Sequence, residues 1–168
     1  SITSDPRPVS QIDMHEIDSL NYVKLDLLGL NAVGLIDGAC KLAGIDYLTP
    51  DKVNFSDENV INSIAEDTTL IFQFESGFAS DSLKRTLSKK TLENIKAQND
   101  NISYLDIMAM VSGAIRPAGE SYREQLFNGN YKDNGNEALN EFLKPTLGYL
   151  VYQEQIIDFL HDFCGFTM

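Results

Sequence analysis

Apolar residues recur at the spacing of an α-helix in several short stretches of this 168-residue chain. These stretches lie at about 31–42, 56–64, 80–96, 103–111 and 152–163. Strict alternation of apolar and polar residues, which is typical of a half-buried strand, occurs at Tyr22–Leu27. The pattern predicts a mainly α fold, α+β overall but dominated by helices, with one or two short β-strands near the N-terminus.

Two capping-box spacings mark where helices begin. Asp13 and Glu16 have this spacing and predict a short helix over about 14–20. Ser103 and Asp106 repeat the spacing and predict a second helix, which Gly113 and Pro117 are expected to stop. In each pair the two side chains can satisfy free amides of the first helical turn.

Weaker local signals set the remaining boundaries. Gly44 suits the left-handed residue that follows a helix, and Ser56 and Ser80 are predicted to begin helices. The apolar run Leu70–Phe74 is predicted to form a short strand or an extended segment. After the helix at Ser103, a linker rich in Gly and Asn over 128–136 separates two more helical stretches, the last of them at Tyr152–Phe163.

Composition narrows the class of protein. Hydrophobic residues make up 43% of the chain, enough for a core, and a net charge of −12 argues against a free-standing DNA-coating or anionic-membrane protein. We expect Cys40 and Cys164 to be reduced core residues, and we find no signal peptide or membrane-length apolar run. We therefore expect a cytoplasmic protein without a membrane segment, and its ends suggest a segment of a longer chain.

Asp26 is the first candidate for chemistry. On the alternating strand it shares a face with Lys24, so a rigid backbone would hold a carboxylate for a metal ion beside an amine for a phosphate. A solvated Asp26 paired with Lys24 is the alternative from alternation alone. One aspartate cannot hold two Mg²⁺ ions, so further ligands would come from outside this chain.

Other groups carry weaker signals. His15-Glu16 begins like a zinc-protease signature, but Ser19 stands where the second histidine would be. The one basic stretch comprises Lys84, Arg85, Lys89, Lys90 and Lys96. It is interpreted either as a solvated helix face or as a phosphate contact.

Four motifs along the chain change this interpretation. They are Lys24-Leu25-Asp26-Leu27-Leu28-Gly29-Leu30, Phe72-Gln73-Phe74-Glu75-Ser76, Ile115-Arg116-Pro117 and Gly148-Tyr149-Leu150-Val151-Tyr152-Gln153-Glu154-Gln155. In order and spacing they resemble the bacterial replicative DNA polymerase III α subunit, a C-family DNA polymerase. The likeness extends from about Gln11 to Met168.

The resemblance implies a division and a chemistry. Residues 1–30 would be the end of the palm with its catalytic strand, and 31–168 the first, truncated part of the helical fingers domain. Asp26 would be a catalytic ligand of Mg²⁺ and Lys24 would contact the incoming triphosphate. The parent enzyme would transfer nucleotides from dNTP to a primer 3′ hydroxyl by a two-metal mechanism.

The resemblance also implies partners, namely primer-template DNA, dNTP and other replicase subunits. The isolated segment is expected to be inactive. Arg116-Pro117-Ala118-Gly119 departs from the Arg-Pro-Gly-Pro of many members, so no precise role is assigned to Arg116. The alternative is a non-catalytic, acidic helical module that binds another protein.

Overall fold

The computed structural model describes residues 12–20, 22, 25 and 29–167. These residues fall into two units, the first ending at Leu48 and the second beginning at Thr49. Within the described ranges every regular element is helical, which confirms the predicted helix-dominated class. The predicted strand at Tyr22–Leu27 lies mostly outside the described residues, and neither Tyr22 nor Leu25 belongs to a strand.

The first unit contains helices α1, Met14–Ser19, and α2, Asn31–Ala43. The Asp13 amide donates to the Glu16 carboxylate at 3.4 Å, which is one half of the predicted capping box. Gly44 has a φ of 67°, and this left-handed turn ends α2 as predicted. Cys40 is buried, whereas Leu42 is 92% exposed, so the apolar face of α2 is only partly covered.

The second unit contains seven helices among its described residues. They are α3 Glu58–Glu66, α4 Gly77–Thr86, α5 Lys89–Gln98, α6 Tyr104–Ala114, α7 Arg123–Phe127, α8 Glu137–Leu143 and α9 Gln153–Asp162. Short 3₁₀ turns cover Pro50–Lys52, Pro117–Gly119 and Lys144–Thr146. No helix in the described part of the chain combines the length and the apolar character needed to cross a membrane.

The core of the second unit lies where α4 and α6 pack against each other and against α7. Leu83, Met110 and Phe127 have no exposed surface there. The predicted capping box at Ser103 is confirmed, because the Ser103 hydroxyl accepts from the Asp106 amide and the Ser103 amide donates to the Asp106 carboxylate, both at 3.1 Å. This local cap fixes the start of α6, the central helix of the core.

Two predicted helix starts are wrong by a few residues. Helix α3 is capped by Asp57 rather than Ser56, and α4 begins at Gly77 after the cap Ser76 rather than at Ser80. The Ser80 hydroxyl is instead 2.6 Å from that of Thr68, whose side chain is buried. The Ser80 side chain therefore makes a hydrogen bond to a residue 12 positions away instead of capping a helix.

The strand or extended segment predicted at Leu70–Phe74 is also wrong. This segment is a pair of turns, with Leu70 and Gln73 in left-handed conformations at φ 66° and 69°. The Phe74 amide donates to the Ile71 carbonyl at 3.0 Å, and Phe74 is only 3% exposed. Burying Phe74 beside the start of α4 requires the chain to turn here, which an extended segment cannot do.

One of the two cysteines is buried and the other is exposed. Cys40 is buried and Cys164 is exposed, so the prediction of a core position holds for Cys40 and is wrong for Cys164. Cys164 lies just beyond α9, a helix with no fully buried residue. Its apolar neighbours in sequence therefore do not place it in a core.

Candidate functional site

Three of the four sequence motifs meet at one cleft of the second unit, which has a volume of about 500 Å³. Gln73 and Phe74 come from the turn before α4, Arg116 follows α6, and Tyr152 and Glu154 come from the start of α9. The apolar wall is formed by Leu105 and Met108 of α6. A cleft of this size with a few polar groups has the dimensions of a small-ligand site.

The Gln73 side of the cleft is held by a hydrogen bond across 39 residues. The Ser112 hydroxyl donates to the Gln73 amide oxygen at 2.5 Å. Gln73 is left-handed, which costs a residue with a Cβ about 1 kcal/mol or more, and buried Phe74 anchors the turn that imposes it. This hydrogen bond uses the Gln73 amide oxygen, and the NH₂ of this cleft-lining side chain has no partner among the described residues.

Gly113 lets α6 approach the segment that leads into α9. A Cβ at Gly113 would lie 2.7 Å from Val151 Cγ1 and 3.5 Å from Tyr152 Cε1. Helix α6 ends at Ala114, between the Gly113 and Pro117 that were expected to stop it, and Gly113 itself lies inside the last turn of the helix. The glycine serves close packing, which sequence spacing does not indicate.

Gln155 joins the start of α9 to the preceding 3₁₀ turn. Its Oε1 accepts from the amides of Val151 and Tyr152, each at 3.0 Å, and its Nε2 donates to Thr146 Oγ1 at 2.8 Å. Thr146 is buried and donates in turn to the Tyr149 carbonyl at 2.6 Å. Gln155 is thus a structural member of its motif, while Glu154 lies exposed at the cleft.

Tyr152 presents a neutral phenol to the cleft. Burial, followed by the negative charge of Asp106 and then by Tyr122, raises the pKa of Tyr152 to about 12. The Asp106 carboxylate is occupied by the Ser103 amide and hydroxyl, the latter at 2.6 Å. Near neutral pH the Tyr152 side chain therefore adds a hydrogen-bonding group and no charge.

Arg116 is an exposed cation on a constrained turn. Pro117 follows it, and the Gly119 amide donates to the Arg116 carbonyl at 2.9 Å. A Cβ at Gly119 would lie 2.1 Å from the Ala114 carbonyl oxygen, so the turn requires glycine there. No carboxylate oxygen within the described ranges lies within 4 Å of the Arg116 guanidinium.

The other two arginines of the second unit are already engaged. Arg85 is 3.0 Å from the Glu124 carboxylate, and its guanidinium lies 5.5 Å from the centre of the Phe127 ring. Arg123 is 3.9 Å from Glu120 and 5.1 Å from the Phe78 ring centre. Arg116 has neither kind of contact among the residues that the structure covers.

The basic stretch found in the sequence does not form one surface. Lys96 donates to the Tyr104 hydroxyl at 2.9 Å, and its ammonium lies 4.4 Å from the centre of that ring. Lys84 lines a cleft beside Asp67, whereas Lys89 and Lys96 line a different one beside Glu58. Folding therefore divides the cations of this stretch between two clefts.

Asp26 and Lys24, the predicted metal ligand and substrate contact, lie outside the described residues. Among the residues described, no group of three or more His, Cys, Asp and Glu side chains could hold a metal ion. The sequence motifs indicated no role for Arg116, Ser112 or Glu154. The Arg116 and Glu154 motifs were visible in the sequence, but their meeting depends on contacts between distant segments.

Comparison with known proteins decides the family. The model of the bacterial DNA polymerase III alpha subunit finger domain matches residues 33–168. The chain belongs to this family. Similar proteins named DNA polymerase III subunit alpha include those of Ureaplasma parvum, 30% identical over 173 residues, and Vibrio cholerae, 28% identical over 176.

The comparisons also show how much of each relative is matched. The alignments cover 96% of this chain in both cases, but only 16% of the Ureaplasma parvum protein and 14% of the Vibrio cholerae protein. No solved structure matches. The predicted family is thus confirmed, while the predicted division between palm and fingers near residue 30 stays a prediction.

Proposed function

We propose that the chain forms part of a replicative DNA polymerase, at the junction between the last catalytic strand and the helical fingers. The observation that carries the proposal is the finger-domain match over residues 33–168, preceded directly by the motif with Lys24 and Asp26. In this proposal the whole protein transfers a nucleotide from dNTP to a primer 3′ hydroxyl. Its partners are primer-template DNA and the other replicase subunits, and it acts in the cytoplasm.

Asp26 is proposed to hold Mg²⁺ and Lys24 to contact the triphosphate of the nucleotide. Carboxylate oxygen is the donor type that Mg²⁺ prefers, so Asp26 suits the ion. One aspartate cannot hold two Mg²⁺ ions, so the remaining donors are proposed to come from beyond this chain. When bound, the ions would lower the pKa of the primer hydroxyl and neutralise charge on the triphosphate.

The net charge of this chain is consistent with a segment of a DNA-binding enzyme that does not bind DNA strongly by itself. A net charge of −12 repels the phosphate backbone at long range. The main DNA-gripping surface is therefore proposed to lie in other parts of the polymerase. Contacts from this chain would be local and would depend on individual cations.

The test of Asp26 is its replacement by asparagine in the full-length protein. Asp26→Asn preserves shape but removes the charge that holds the ion, so primer extension should fall by about 10² fold or more, with little change in melting temperature. Asp37→Asn is the matched control, because Asp37 only pairs with Lys41 on exposed α2. Equal primer-extension rates for the two variants would remove the catalytic assignment.

The test of Lys24 separates nucleotide from DNA binding. Lys24→Ala should raise KM for dNTP and leave the affinity for primer-template nearly unchanged, since the proposed contact is to the triphosphate. Steady-state kinetics and a DNA-binding titration on the same preparation measure both. A larger change in DNA affinity than in KM would contradict the assignment.

The second candidate is a non-catalytic acidic module that binds another protein. The observation that favours it is the exposed apolar stripe of α9, where Ile156 and Ile157 are 48% and 46% exposed. A full-length protein with no primer extension in the presence of Mg²⁺ and dNTP would support this candidate. Extension that requires Asp26 would exclude it.

A further inference from the structure

We propose that the cleft at Arg116 binds one nucleotide unit, with the phosphate on the Arg116 guanidinium and the nucleoside against the wall of α6. This inference rests on the proposed polymerase function and assigns a binding role to a residue for which the motifs alone indicate none. The ligand chemistry is a nucleotide phosphate. It could come from a DNA strand or from a free dNTP.

The first support is that Arg116 is available. In a chain with 25 acidic residues, an exposed arginine readily finds a carboxylate, and both Arg85 and Arg123 have done so. Arg116 has no carboxylate within 4 Å in the described part of the chain. A guanidinium presents paired donors that match phosphate oxygens, and here those donors are not used within the chain.

The second support is that the backbone on which Arg116 lies is constrained. The turn that follows Arg116 is limited by Pro117 and by the contact of Gly119 with the Ala114 carbonyl. On the facing side, Ser112 holds Gln73 in place. A cation on a constrained backbone loses less freedom when a ligand binds than one on a mobile loop.

The third support is the mixed character of the cleft. Leu105, which is 52% exposed, and Met108 offer an apolar wall, while the Gln73 amide offers a donor and Glu154 an acceptor. A nucleotide carries apolar base faces, hydrogen-bonding edges and a phosphate, and so can use every part of this lining. The cleft volume of about 500 Å³ also lies in the small-ligand range.

Two carboxylates near the cleft limit where a phosphate can lie. Glu154 lines the cleft and has no ion pair with Arg116 among the described residues, and the Asp106 carboxylate accepts hydrogen bonds from the Ser103 amide and hydroxyl. Tyr152 remains neutral near physiological pH. Glu154 is therefore the negative group to keep apart from the phosphate, and we assign it to the nucleoside end.

The experiment uses the full-length protein with Arg116→Ala, Arg116→Lys and the control Lys144→Ala. Lys144 is an exposed cation that lines another cleft, so its loss changes the net charge equally. Fluorescence anisotropy with labelled primer-template over a range of salt concentrations measures DNA binding. Steady-state kinetics measures KM for dNTP, and melting temperatures verify that each variant is folded.

Arg116→Ala should weaken the binding of either primer-template or dNTP by about tenfold, and Lys144→Ala should change neither affinity by as much. Weaker DNA binding with a salt slope reduced by about one identifies a strand phosphate, whereas a raised KM at unchanged DNA affinity identifies the triphosphate. Arg116→Lys should fall between wild type and alanine, because it keeps the charge but not the paired donors.

Equal effects of Arg116→Ala and Lys144→Ala on both ligands would overturn the cleft assignment while leaving the polymerase function intact. If Arg116→Ala does not fold, wild-type affinity of Arg116→Lys for both ligands would likewise overturn the cleft assignment. A wild-type protein that binds neither primer-template nor dNTP would overturn the proposed function, and the cleft assignment with it.

Discussion

The Gln155 hydrogen bonds allow a quantitative prediction about stability. Gln155→Ala removes the acceptor for the amides of Val151 and Tyr152 and the donor to Thr146. Each intramolecular hydrogen bond contributes about 1 kcal/mol net, so three would contribute roughly 3 kcal/mol. Partial access of water to these groups and the better helix propensity of alanine reduce the expected cost to about 2 kcal/mol.

Urea denaturation followed by circular dichroism at 222 nm measures this cost. With a denaturant slope of about 2 kcal/mol per M, the unfolding midpoint should fall by about 1 M. Gln153→Ala is the matched control, because Gln153 lies two residues earlier in α9, is exposed, and should lower the free energy of unfolding by less than about 0.5 kcal/mol when replaced. Equal midpoints for the two variants would refute the structural role of Gln155.

Gln155→Glu sharpens the test. Its carboxylate can still accept from both amides but cannot donate to Thr146, so it should cost about 1 kcal/mol, between wild type and alanine. A glutamate that destabilises as much as alanine would show that the two amide hydrogen bonds contribute little. The expected order of midpoints is therefore wild type, glutamate, alanine.

Three further predictions concern pH, backbone strain and activity. Folding raises the pKa of Tyr152 from 10.0 to about 12, so between these pH values the unfolded chain has lost a proton that the folded chain keeps. The free energy of unfolding should therefore fall as pH rises from 10 toward 12. In Tyr152→Phe the urea midpoint should fall less over the same pH range. Gly148→Ala should lower the free energy of unfolding by more than about 2 kcal/mol, because φ is +85° and the new Cβ would lie 2.0 Å from the Lys132 carbonyl oxygen. Gly135→Ala is the control: φ is also positive but the space around the Cβ is open, so thermal unfolding should show a loss of only about 1 kcal/mol. The isolated chain should show no primer extension, and extension that disappears with Asp26→Ala would contradict this.

Features controlled by neighbours in sequence could be predicted. The Ser103–Asp106 cap and the left-handed Gly44 follow from groups within three or four residues, so the same hydrogen bonds form whatever the rest of the chain does. The helix-dominated class follows for the same reason, because apolar spacing and caps act within each helix. The family resemblance likewise depended on motifs that are short and local.

Features that depend on distant contacts could not be predicted. The apolar run at Leu70–Phe74 matches a strand, yet burial of Phe74 forces two turns, and Ser80 gives up capping to bond Thr68. Cys164 has apolar neighbours in sequence but no core around it.

The cleft itself was decided by tertiary structure. Gln73 and Ser112 are 39 residues apart, and only the packing of the turn before α4 against α6 brings Gln73 to the same site as Arg116. Whether a charged side chain pairs or stays free likewise depends on which elements pack together. The sequence therefore determined most of the helices and the family, and the three-dimensional packing decided that Arg116, alone among the described arginines of the second unit, has no carboxylate partner there.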